Sequence, residues 1–296
     1  MFYNKIFNKI NENLESKPYL LKSAFEQAVS SKLFYYRHHG SIHYTLYDYT
    51  VFKPVRNLLG GRIRLFVSGG APLNSEIKNY ITVVFSAPII EALGQTETAG
   101  VLTSTSYWDQ ESGHQGGVCS CNKLQLRSIP EKELNVKDNP PTGELMVKGN
   151  SVFMGYFKDP AMTAKVLDSD GWLHTGDIAT LLPNGAIRLV DRIQEFKKLQ
   201  HGEMISPLKL ENIYVNTPII DQICVDVNSN YSFLIAVVTL NLDKLKNFCE
   251  VNDLKVDENI HNSEDVQFAV FKQLERCAMT NNLSRVEMIQ GVVISP

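Results

Sequence analysis

Two stretches constrain the fold more than any others. In "RIRLFVSGGAP", residues 62–72, Ile63, Leu65 and Val67 alternate with Arg62, Arg64 and Phe66, a strand pattern that stops at Ser68-Gly69-Gly70-Ala71-Pro72. In "APIIEALGQTETAG", residues 87–100, a second apolar run meets a polar turn. Between them Asn74 stands where a helix cap would, and Ile77, Ile81 and Val84 or Phe85 follow at helical spacing. Strand, helix and strand, with each strand running into a turn, describe an α/β unit. Ligands of such sheets sit at the carboxyl ends of the strands, so the two turns are expected to border one crevice.

The rest of the chain changes texture twice. Residues 1–58 carry apolar positions at helical spacing, with Ile6, Ile10 and Leu14 on one face. From about 101 to 190 come short segments read as strands with turns, "GELMVKG", "GYFKDP", "GWLHTGD" and "LPNGAIRLVD", and Asn184-Gly185 signals a hairpin. Beyond Arg192 strands and helices mix: "YSFLIAVVTL" reads as a strand, and Val266, Val270, Leu274 and Ala278 share one helix face. The expected organisation is an α/β part over 1–102 with a parallel sheet, a β-rich part over 103–191, and a smaller α+β domain over 192–296, with the boundary at 192–195.

Composition narrows the functional classes. With 44% hydrophobic residues, 21% charged residues and a net charge of -3, the chain reads as an ordinary globular protein without the basic footprint of a nucleic-acid binder. Five scattered cysteines read as reduced thiols, and Cys119 and Cys121 with His114 nearby lack the second ligand pair of a metal site. The N-terminal stretch has no apolar signal core, and no run approaches the ~20 apolar residues of a membrane span. The expected location is the cytoplasmic side, with any membrane contact peripheral at an internal membrane such as the endoplasmic reticulum.

Several polar residues stand out. Thr96 and Glu97 set a hydroxyl beside a carboxylate at a strand end, which suits a phosphate oxygen and its magnesium; a solvated turn would look the same. Asp177, placed in a turn after Trp172 and His174, has the short carboxylate that accepts from two ribose hydroxyls, or it caps its own backbone. Arg192 offers a planar fork for the same ribose or a phosphate, or a surface ion pair.

Order and spacing add more than any single residue. "SGGAP", "LGQTE", "GELMVKGNSVFMGY", "GWLHTGD", "DR" and "GEMISPLKLENIY" occur in this sequence order, and together they resemble the adenylate-forming, AMP-binding superfamily. Within it the chain is most similar to the C-terminal half of long-chain fatty-acid CoA ligases. "DGWLHTGDIATLLPNGAIRLVDR" looks like their fatty-acyl signature, and "YNKIFNKI" and "EMIQGVVISP" look like their flanks. The resemblance implies a two-step reaction: ATP and a fatty acid give acyl-AMP and pyrophosphate, and coenzyme A then displaces AMP. By the same resemblance Gly70, Ala71 and Pro72 line the adenine and acyl pocket, and Glu91, Leu93 and Gly94 complete the nucleotide-binding set. Thr96 and Glu97 handle phosphate and Mg2+, and Asp177 and Arg192 hold the ribose. Residues 192–195 would be a hinge, with Gln194 where relatives often carry Asp or Lys. Lys198 would serve thioester formation, and Gly202 would let coenzyme A pass close to the backbone.

Three departures accompany the resemblance. No Gly-rich phosphate loop ending in Gly-Lys occurs, since "TSTS" at 103–106 lacks both glycine and lysine. The adenylation lysine of the family falls just beyond Pro296. Leu93 stands where most relatives stack a Tyr on adenine, and Ala92 replaces a Gly. These features imply a chain cut at both ends, with an apolar face left bare by the missing upstream sheet. They also support an alternative, a non-catalytic nucleotide or acyl-adenylate binding protein. A third reading is a carboxylate-activating enzyme with another acid as substrate.

Overall fold

A computed structural model of the protein describes residues 2–70, 73–228, 231–241, 244–245, 248–249 and 263–295. The chain is α/β and divides into two compact units. The first comprises residues 1–125, 146–175 and 180–189, and the second 126–145, 176–179 and 190–296. Among the described residues no helix is long and apolar enough to cross a membrane.

In the first unit, helices α1 (Phe2–Glu15), α2 (Tyr19–His39), α3 (Thr45–Thr50), α4 (Lys53–Asn57) and α5 (Ser75–Phe85) accompany a sheet of order β1-β2-β3-β4. Its strands are β1 (Phe66–Gly69), β2 (Ile89–Gln95), β3 (Gly100–Ser104) and β4 (Gly117–Val118). β1 and β2 are parallel neighbours, as a strand–helix–strand unit requires, and β3 and β4 continue antiparallel. α5 starts where the Asn74 side chain accepts from the Glu76 and Ile77 amides, a cap that stabilises a helix by about 1 kcal/mol. Its Ile77, Ile81, Val84 and Phe85 are buried, and Ile10 of α1 enters the same core with Ile6 and Leu14 packed around it.

Local alternation misplaces the inner face of β1. The strand begins at Phe66, and Phe66 and Ser68 are buried, whereas Leu65 and Val67 are 41% and 59% exposed. Packing decides this. The Phe66 ring meets Tyr3 of α1 at 5.9 Å and Phe85 of α5 at 5.5 Å, both edge-on, and the Tyr3 hydroxyl donates to the Val67 carbonyl. Val67, Val101 and Val118 of this sheet are exposed.

A second sheet has the order β5-β6-β7-β8, from β5 (Asn122–Arg127), β6 (Thr142–Gly149), β7 (Leu173–Leu181) and β8 (Ile187–Arg192). The Asn184-Gly185 signal marks the β7–β8 hairpin, with Gly185 at φ +80° and its amide bonded to Leu182. "GYFKDP" is not a strand. Gly155 at φ +140° and Lys158 at φ +56° break the extended path, and Asp159 caps α6 (Pro160–Val166) instead.

The second unit has its own core. β11 (Ile220–Asp226), β12 (Leu234–Leu240) and β13 (Ile289–Ile294) form a mixed sheet, joined by α7 (Pro207–Tyr214) and α8 (Glu264–Thr280). Val266, Val270, Leu274 and Ala278 of α8 are all buried there, as their spacing requires. A small hairpin pairs β9 (Lys197–Lys198) with β10 (Met204–Ile205).

Candidate functional site

In the first unit the candidate residues gather at the carboxyl ends of β1 and β2. β1 ends at Gly69, and Gly70 follows at φ +84° with open space where a side chain would stand. Ala71 and Pro72 lie outside the described residues. Gly94 is fixed by packing as well as by any ligand, since an added Cβ would lie 1.9 Å from the Gly100 carbonyl oxygen. Glu91 and Leu93 are buried. The Glu91 carboxylate meets the Lys78 ammonium of α5 at 2.9 Å, an interior ion pair that sequence reading gave no sign of.

Directly after β2, residues Thr96–Thr98 form one 3₁₀ turn, braced by reciprocal bonds between Gln95 and Thr98. Thr96 is exposed and Glu97 half-buried. Glu97 is held at both ends: its carbonyl accepts from the Phe153 amide at 2.9 Å and its Oε1 from the Tyr156 hydroxyl at 2.7 Å. That hydrogen bond raises the Tyr156 pKa, with smaller contributions from burial and the Glu97 charge. Tyr156 is the partner missed in the sequence, although it closes the motif "GELMVKGNSVFMGY". One positioned carboxylate beside an exposed hydroxyl suits a magnesium that takes its remaining ligands from phosphate and water. Among the described residues no group of three or more His, Cys, Asp or Glu could hold a metal alone, and Cys119 and Cys121 are free thiols.

In the second unit Asp177 lies inside β7 and not in a turn. Gly176 adopts φ +70° within that strand, and its carbonyl accepts from the Ile193 amide, so the glycine that reads as a turn bends the strand locally. The Asp177 side chain is 1% exposed and its Oδ1 is 2.9 Å from Nε of Arg192, whose own side chain is 56% exposed. A buried carboxylate held by a half-exposed guanidinium can present acceptor and donor groups together to a diol. Trp172 and His174 do different work: the Trp172 amide donates to Asp168 Oδ1, and His174 Nε2 lies 4.0 Å from Asp168 Oδ2.

Past Arg192, Gln194 is exposed on a turn and Phe196 is buried with Ile129 and Ile178. Lys132 donates to the Phe196 carbonyl and lies over its ring at 5.8 Å, and burial lowers the Lys132 pKa against the pull of Asp191. Lys198 bonds Glu133 at 2.7 Å, a contact that holds the Glu133 carboxyl below the usual carboxylate range. Gly202 turns the β9–β10 hairpin at φ +102°, and a side chain there would come within 3.6 Å of Lys198 Cε.

The AMP-binding enzyme family matches residues 4–157, more than half of the chain. The chain belongs to the AMP-binding enzyme family. It is 34% identical to long-chain-fatty-acid–CoA ligase 5 of Mus musculus over 99% of this chain and 42% of that protein. Against long-chain-fatty-acid–CoA ligase 1 of Homo sapiens it is 36% identical over 85% of this chain and 36% of the relative. The peroxisomal long chain acyl-CoA synthetase 7 of Arabidopsis thaliana is 31% identical, over 99% and 42%. Family membership thus rests on sequence, and this chain spans less than half the length of these relatives. Its fold matches the A domain of carboxylic acid reductase from Segniliparus rugosus, solved with AMP and a co-purified carboxylic acid. That match has a TM-score of 0.70 at 26% identity and covers 92% of this chain and 40% of that one.

Proposed function

We propose that the protein carrying this chain activates a long-chain fatty acid with ATP and passes the acyl group to coenzyme A. The observation that carries this reading is the Asp177–Arg192 pair, a buried carboxylate and an accessible guanidinium in a chain whose curated relatives are named long-chain ligases. Those ligase names lend nothing to the non-catalytic alternative.

In the first step a carboxylate oxygen of the fatty acid attacks the α-phosphorus of ATP, and pyrophosphate leaves. Asp177 accepts from the ribose hydroxyls while Arg192 keeps that carboxylate oriented. The turn around Gly70 and the strand end at Gly94 give the nucleotide close access to backbone, and Thr96 donates to a phosphate oxygen. Glu97, oriented by Tyr156, would hold magnesium, which would supply charge neutralisation at the phosphates. In the second step the coenzyme A sulfur attacks the acyl carbon, the thiol proton is lost and AMP leaves. Residues 192–195, with Gln194, form the hinge separating 192–296 from the parts 1–102 and 103–191. Lys198 exchanges Glu133 for the substrate in this step, and Gly202 leaves room beside it.

Fatty-acid-dependent exchange of labelled pyrophosphate into ATP tests the first step alone. Exchange is expected with long-chain acids, and Glu97→Gln should slow it ~100-fold, the scale of losing one group that stabilises developing charge. Exchange that is independent of added acid, or equal in the variant, would remove the reading.

A further inference from the structure

A cavity of about 300 Å³ in the first unit lies apart in composition from the nucleotide residues above. It is lined by Arg56, Arg64, His43, Ser86, Tyr107 and Ile63, among others. Behind it sits a buried polar network. Lys32, fully buried, pairs with Asp48 and donates to Ser86 Oγ at 2.8 Å. The Ser86 hydroxyl in turn donates to Asp48 Oδ1 at 2.9 Å, and the Tyr44 amide donates to Oδ2 at 2.9 Å. Asp48 Oδ1 thus takes two donors and Oδ2 one, with His43 Nδ1 also 3.9 Å from Oδ2, and none of these is Arg56. Arg56 reaches only neutral acceptors, Ser86 Oγ at 3.3 Å and the Asp48 carbonyl at 3.1 Å, and its Nε is buried without a hydrogen-bond partner. Burial lowers the Lys32 pKa and Arg56 repulsion adds to that, opposed by Asp48.

Lys32 and Arg56 thus bring two positive charges to a network holding one aspartate, Arg64 adds a third in the lining of the adjoining cavity, and no ion pair of Arg56 or Arg64 is found among the described residues. An unpaired buried guanidinium nitrogen and an accessible second guanidinium are donors in search of an anion. Ser86 holds the left-handed conformation at φ +51° that ends α5, which fixes its hydroxyl between Lys32, Asp48 and Arg56. We propose that this cavity binds a phosphate group, with Arg56 and Arg64 as its two guanidinium clamps. Planar forks match phosphate oxygens in pairs. The volume, at the small end of ligand pockets, admits a phosphate carrying a short organic group as well as the free ion. The proposal does not depend on the ligase reading.

Calorimetric titration of the full chain with inorganic phosphate, pyrophosphate, glycerol 3-phosphate and acetate tests it. Saturable binding of at least one phosphate compound is expected, weakened tenfold or more by Arg64→Gln, a change at an exposed residue that leaves folding intact. Arg56→Gln should weaken it further, while AMP binding is unchanged by Arg64→Gln. Tighter binding of glycerol 3-phosphate would identify a phosphorylated organic ligand, and tighter binding of phosphate or pyrophosphate the free anion. Absence of saturation, equal binding by the Arg64 variant, or acetate binding as tightly as phosphate would each overturn the site.

Discussion

Replacing Lys78 with methionine is expected to destabilise the first unit by about 3–5 kcal/mol, because it strands the Glu91 carboxylate in the interior. Both side chains are almost fully buried, at 2% and 4% exposure, and Lys78 also donates to the Glu111 carbonyl at 2.9 Å. Denaturant unfolding would measure the loss. Exchanging both members, Lys78→Met with Glu91→Leu, should recover most of it, since an apolar pair of similar volume costs no charge desolvation. With folding restored, AMP binding by this double variant separates two roles for Glu91. Retained affinity assigns it to packing beneath the strand end, and lost affinity assigns it to the nucleotide.

The second large effect is at Asp177. Removing its carboxylate should weaken AMP binding by at least ~30-fold, about 2 kcal/mol, because charge-assisted hydrogen bonds to two hydroxyls disappear together. Asp177→Asn, which keeps one acceptor oxygen, should fall between wild type and Asp177→Ala. Calorimetry with AMP reads both. Equal affinity in wild type and Asp177→Ala would mean that the carboxylate serves Arg192 alone, as an ordinary strand-to-strand ion pair.

What the sequence made legible was local. The Asn74 cap depends on a side chain two and three residues from its donors, and the α8 stripe on residues four apart, so periodicity and capping rules reach both. The phase of β1 was not legible, because alternation shows that two faces exist and only the packing of α1 and α5 shows which is inside. Asp177 was misplaced for a related reason: Gly176 reads as a turn, yet a glycine at φ +70° also fits within a strand. Tyr156 to Glu97 spans 59 positions, and Lys78 to Glu91 joins a helix to a strand, so no spacing rule announces either. The candidate residues came from ordered motifs and their resemblance to a family, whereas the groups that orient and anchor them came from the fold.

Mass-spectrometric detection of acyl-CoA, after the protein carrying this chain is given ATP, Mg2+, coenzyme A and a panel of medium-chain, long-chain and aromatic acids, tests whether it is a long-chain ligase. Long-chain acyl-CoA with matching release of AMP is expected, and its loss in Asp177→Ala. AMP-linked thioester formed only from aromatic or medium-chain acids, or none from any acid, would contradict that assignment.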